Sequence, residues 1–181
     1  MNLEEMRLDC AVKQKKGLHF MLSSIIIWIG VLIVHLTSLP ILTKNLLTFC
    51  FTAPLMPLAY MISKIIKVDF TNKGNPLTSL GLLFSINQML YLLIAMWIYP
   101  TVPEKMVMVL AMIYGAHLMP FGWLYKSKSY MAFSIIIPIV ILVIGVNLPP
   151  YIVAATMIVF QVIFCLSLIA EVKKLGKNVY V

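Results

Sequence analysis

Six apolar stretches, residues 18–39, 45–66, 77–99, 105–124, 129–146 and 150–170, limit what this chain can become. Each is 18–23 residues long and is bounded by lysine, proline, glycine or asparagine. At 1.5 Å of rise per residue, a helix of about 20 residues covers about 30 Å, the thickness of a bilayer's hydrocarbon core. The stretches lack period-2 alternation, which excludes an outer-membrane barrel. Composition agrees: 62% of the residues are hydrophobic and 11% charged, against about 45–50% and about 25% in soluble domains. Even a domain of about 150 residues buries only about 70% of the surface its unfolded chain exposes, so lipid must solvate much of this one. The predicted fold class is all-α, a polytopic membrane protein built as a bundle of about six transmembrane helices. The first stretch follows Lys13, Lys15 and Lys16 as a signal peptide would, but its 22 residues exceed a signal core of about 7–15 and no small-residue cleavage site closes it. It is read as a retained span.

The charges test that count. The net charge is +8, from 14 basic and 6 acidic residues. With the N-terminus inside, Arg7, Lys13, Lys15, Lys16, Lys64, Lys67, Lys73, Lys126, Lys128, Lys173, Lys174 and Lys177 all fall on the cytoplasmic side, and only Lys44 and Lys105 fall outside. Cytoplasmic loops carry the excess of Lys and Arg, so six spans with both termini cytoplasmic are expected. Three parts follow: a basic N-terminal segment (1–17), a six-helix transmembrane domain (18–170) and a basic cytoplasmic tail (171–181). No basic and aromatic face remains outside the spans to bind nucleic acid, and the expected surroundings are the lipid bilayer. A homo-oligomer and a cytoplasmic partner both stay open.

In the first segment, Asn2 and Glu5 have the spacing of a capping box, Glu4, Glu5 and Asp9 favour the helix start, the lysines favour its end, and Gly17 can stop it. The segment reads as an amphipathic helix on the inner leaflet or as a basic tail that sets topology. Its residues Glu4-Glu5-x-Arg7-x-Asp9 and Val12-Lys13-Gln14-Lys15-Lys16-Gly17-Leu18 resemble those of an uncharacterised family of small bacterial integral membrane proteins with a domain of unknown function. The resemblance implies a bacterial plasma-membrane location and no established activity.

Polar groups at depth carry the functional expectation. Asn87 and Gln88 sit at the centre of the third stretch, His117 just past the centre of the fourth and Gln161 near that of the sixth. Polar side chains facing lipid would leave hydrogen-bonding groups unmet, so these four either bond helices together or line a polar midplane site. Pro54, Pro57, Pro120 and Pro138 remove backbone donors inside three spans and are the expected helix kinks. His117 is the only imidazole at that depth, and no carboxylate shares it. His19 and His35 have no ligand spacing, so no metal site is expected, and no cofactor is. Ser23, Ser24, Ser85, Ser134 and Ser167 lack an obvious base, and no nucleophile-elbow motif occurs. Cys10, Cys50 and Cys165 make no pairable framework. Trp28, Trp97, Trp123, Tyr99, Tyr125, Tyr130 and Tyr151 read as an interfacial belt.

An echo at an offset of 63 residues pairs 53–60 (APLMPLAY) with 116–123 (AHLMPFGW), the pattern of a parallel hairpin repeat if it is more than chance. The functional expectation is a small transport or permeation protein. The alternative is a structural or regulatory subunit whose Lys13, Lys15, Lys16, Lys173, Lys174 and Lys177 dock a cytoplasmic partner. An enzyme is the weaker expectation, for want of a buried carboxylate, metal set or activated nucleophile.

Overall fold

A computed structural model describes residues 1–179, with side chains through Leu175. The side chain of Lys177, in the expected tail, lies outside the described residues. The chain is all-α. The helices are α1 (Leu3–Lys13), α2 (Leu18–Leu36), α3 (Ile41–Thr52), α4 (Leu55–Ile65), α5 (Leu77–Thr101), α6 (Met106–Leu124), α7 (Lys128–Asn147) and α8 (Pro150–Val179). Five helical segments are long and apolar enough to cross a membrane, and α3 with α4, bent by 40°, makes six if the pair is one broken span. The break follows from chemistry. Pro54 and Pro57 have no N–H, so the carbonyls of Cys50 and Ala53 lose their i+4 donors. By contrast, α6 and α7 run continuously through Pro120 and Pro138. The two copies of the sequence echo therefore differ, one spanning a break and the other lying in an unbroken helix.

The core is formed by α2, α6, α7 and α8, with the most extensive contacts between α6 and α7 and between α2 and α8. Chain order predicts α6–α7 and α7–α8 as neighbours, whereas the α2–α8 pairing joins the two ends of the bundle. Gly115 shows how closely α6 and α7 approach: a Cβ there would lie 2.7 Å from both Ile137 Cγ2 and Pro138 Cδ. On the other side, α3 and α4 pack against α2, and α5 packs mainly against α6. Ala95 is the only buried residue of α5.

The helix α1 begins with the expected capping box: the Asn2 side chain accepts from the Glu5 backbone and the Glu5 carboxylate accepts from the Asn2 backbone. One face of α1 packs on the bundle. Cys10 and Ala11 are buried against the bundle, and α1 reaches across the ends of α5, α6 and α8. Arg7 donates to the Trp123 carbonyl and lies 4.5 Å over the Trp123 ring. Asp9 accepts from Asn72 at 3.0 Å and Asn75 at 2.9 Å in the loop before α5. Lys15, Lys16 and Gly17 then take left-handed backbone conformations, with φ of 44°, 50° and 71°. Only glycine fits the last, since a Cβ would meet the Tyr130 hydroxyl at 2.9 Å. This tight turn carries the chain from α1 into α2.

Candidate functional site

Because α4 leans on α2 while α5 leans on α6, a cavity of about 500 Å³ opens among α2, the α3–α4 break, α5 and α6. Ile27, Trp28 and Val31 of α2, Thr52 and Ala53 at the break, Leu92 of α5 and Phe121 of α6 make most of its wall apolar, and no Asp, Glu, Lys or Arg lines it. Its polar groups are few and include Ser24, Thr48, Ser85, Gln88, Tyr114 and His117.

Two of these groups are held by a third residue behind them. Gln161 of α8 is fully buried, and its Oε1 accepts from Ser24 Oγ at 2.9 Å and from the Tyr114 hydroxyl at 3.1 Å. Tyr114 stands edge-on to Trp28, centroids 6.4 Å apart. His117 Nδ1 pairs with the Tyr114 carbonyl. A carbonyl only accepts, so Nδ1 carries a proton, and in a neutral ring Nε2 is then a lone-pair acceptor.

Of the four polar residues expected at the midplane, Gln88 and His117 line the cavity. Gln161 supports it from behind. Asn87 lies apart on the outer face of α5, its amide bonded to the Tyr91 hydroxyl. Ser24 and Tyr114 join the site without being expected there; Tyr114 lies at the centre of its stretch, where depth matching finds it, whereas Ser24 lies toward the inner end of 18–39. Of the other histidines, His35 meets Thr48 Oγ1 at 3.1 Å, whereas His19 packs among Phe20 and Phe70 with neither nitrogen bonded. The belt reading is corrected for Trp28, Tyr125 and Tyr130, which are buried. Their hydroxyls or rings close helix contacts inside: Tyr125 donates to Gln14 and Tyr130 to the Lys16 carbonyl.

A second polar cluster sits at the end covered by α1. Lys16 Nζ lies 2.6 Å from Glu171 Oε2, which also accepts from Ser127 Oγ at 2.7 Å. The other oxygen, Oε1, accepts from the Ser129 backbone at 2.9 Å and from Ser129 Oγ at 2.7 Å. The carboxylate thus ties the start of α2, the α6–α7 turn and α8. Lys15 donates to the Ile66 carbonyl at 2.6 Å. Both lysines therefore point into the molecule, where a residue-by-residue reading places them on a docking surface.

Residues 3–171 match a family described as a family of unknown function, DUF7010. The chain belongs to this family. The match takes in α1, every wall of the cavity and Glu171, so both polar clusters lie within the DUF7010 region. No curated protein and no solved structure matches the chain.

Proposed function

We propose that this chain is a small multi-pass transport protein of a bacterial plasma membrane, with both termini cytoplasmic. Its permeant is a neutral, largely apolar molecule bearing a hydroxyl or N–H. The cavity beside the α3–α4 break carries this reading. Its volume of about 500 Å³ lies within the range of about 300–1,000 Å³ usual for small-molecule sites. An uncharged, mostly apolar wall favours a neutral occupant, since a bare ion there would lose its hydration without a counter-charge.

The hydrogen bonds narrow the class further. Ser24 and Tyr114 spend their single hydroxyl hydrogens within this cluster, on Gln161 Oε1, on Met21 or on each other, so what they offer the cavity is oxygen lone pairs. Neutral His117 adds Nε2 as a third acceptor. Three acceptors select a permeant that donates. The break at Pro54 supplies a place for the wall to bend as such a molecule enters or leaves.

The docking-subunit reading has less support, since Lys15 and Lys16 are already bonded within the chain. Uptake into proteoliposomes, measured over a panel of labelled neutral alcohols, amines and amides, tests the proposal. Saturable uptake that falls about fivefold to tenfold in Tyr114→Phe supports it, in line with about 1 kcal/mol for one neutral hydrogen bond. No protein-dependent uptake across the panel would exclude transport of this class. Quenching of Trp28 fluorescence by the same solutes separates a cavity that binds without transporting from one that does neither.

A further inference from the structure

The helix α5 presents to the outside a seam that none of the described residues covers. Leu83, Asn87, Leu90, Ile94 and Trp97 recur at spacings of four and three, and all five are exposed, the four apolar ones at 50–64%. This is the a/d repeat of two helices that pack side by side. The face toward the bundle is a different one, carrying Gly81, Phe84, Gln88, Leu92 and Ala95. Apolar exposure alone means only lipid contact, but Asn87 changes the reading. It lies near the middle of a 25-residue span, where an amide facing hydrocarbon is costly. Its Nδ2 reaches the Tyr91 hydroxyl at 3.0 Å, which leaves Oδ1 and one N–H without a partner among the described residues.

We propose that the seam is a homodimer interface, in which α5 packs along α5 of a second copy and each Asn87 amide bonds the other. A second copy fits better than an unrelated partner for two reasons. A primary amide is both donor and acceptor, so it complements itself across a two-fold axis. An asparagine at the middle of such a seam also sets its own register, since a shift by a turn would leave both amides unmet in lipid. Two copies inserted with the same orientation have their axis along the membrane normal, and the two Asn87 residues then meet at equal depth.

Disulfide cross-linking of the full chain in native vesicles tests this. In a chain carrying Cys50→Ser, single cysteines are placed at 83, 90, 94 and 97, and at the control positions 82, 89 and 96. Adducts of twice the chain's mass that peak at the first set support the interface. Monomer only, equal cross-linking at all positions or an adduct of another mass would each overturn it. In the Leu90→Cys background, Asn87→Leu is expected to weaken the dimer about threefold to tenfold, the range of intramembrane side-chain hydrogen bonds, and Asn87→Gln to restore much of it. Because Asn87 points away from the bundle, the monomer's thermal stability should not change. Unaltered cross-linking in Asn87→Leu overturns the role given to the amide.

Discussion

Lys16 and Glu171, 155 positions apart, form a 2.6 Å ion pair in which the lysine side chain is only 5% and the glutamate side chain 20% exposed. The pair closes the bundle between its first spanning helix and its last. Removing one member of a buried pair strands the other and costs about 3–5 kcal/mol, whereas replacing both by apolar groups is often neutral. Lys16→Met and Glu171→Leu alone should each lower the unfolding midpoint in detergent strongly, and the double variant should regain most of the loss. Additive losses would mean that the two groups act independently.

Cysteine labelling with a membrane-impermeant thiol reagent separates adjacent positions on α5. Gln88→Cys and His117→Cys, which line the cavity, should label if water enters it. Asn87→Cys, facing outward, and Gln161→Cys, fully buried behind Ser24 and Tyr114, should stay protected. Equal protection at Gln88→Cys and Asn87→Cys would mean a dry, closed cavity.

The α6–α7 contact leaves no room at Gly115, since the nearest atoms to an added Cβ belong to Ile137 and to the rigid ring of Pro138. Gly115→Ala is expected to destabilise by about 1–3 kcal/mol, as overpacking does. At Gly74 an added Cβ meets nothing within 4 Å. Gly74→Ala should therefore leave the thermal midpoint almost unchanged, and a loss as large as at Gly115 would contradict the packing argument.

Acid should loosen α1. Burial pushes the Asp9 carboxyl upward, but bonds from Lys13, Asn75 and Asn72 outweigh it and hold its pKa below the ordinary value. Glu4 is lowered by Lys126 and then Arg7. A depressed carboxylate pKa stabilises the fold above the unfolded value, about 3.9 for Asp, and that contribution fades as pH falls through the folded value. Amide exchange in α1 should therefore speed up, relative to α8, below about pH 4. Asp9→Asn should flatten that dependence, and a pH-independent ratio in the native chain would count against the ion-paired collar.

Depth along the chain was legible in the sequence, and direction around each helix was not. Apolar length between lysines and prolines finds five helical segments long and apolar enough to cross a membrane, and a sixth stretch that is the bent pair α3 and α4. The same counting finds Asn87, Gln88, His117 and Gln161 at similar levels. It does not distinguish Asn87 from Gln88, since adjacent helical residues differ by about 100° in direction. Which face turns inward depends on tertiary packing. The pairing of Ser24 and Tyr114 with Gln161 also joins α2, α6 and α8 across non-sequential neighbours, information that no local window holds.

The lysines were misleading for a different reason. A cation at a span boundary serves topology in either position, so Lys15 and Lys16 look alike whether they face water or, as here, bond Ile66 and Glu171. The consecutive left-handed residues 15–17 turn them inward, and only Gly17 signalled such a turn.

The pairing of α2 with α8 also constrains biogenesis. The ribosome delivers α2 well before α8, so Ser24 and Lys16 are made long before Gln161 and Glu171 exist. Until then, one of the most extensive interfaces of the bundle stays open. A chain interrupted before α8 would retain those polar groups without the partners they have in the folded bundle.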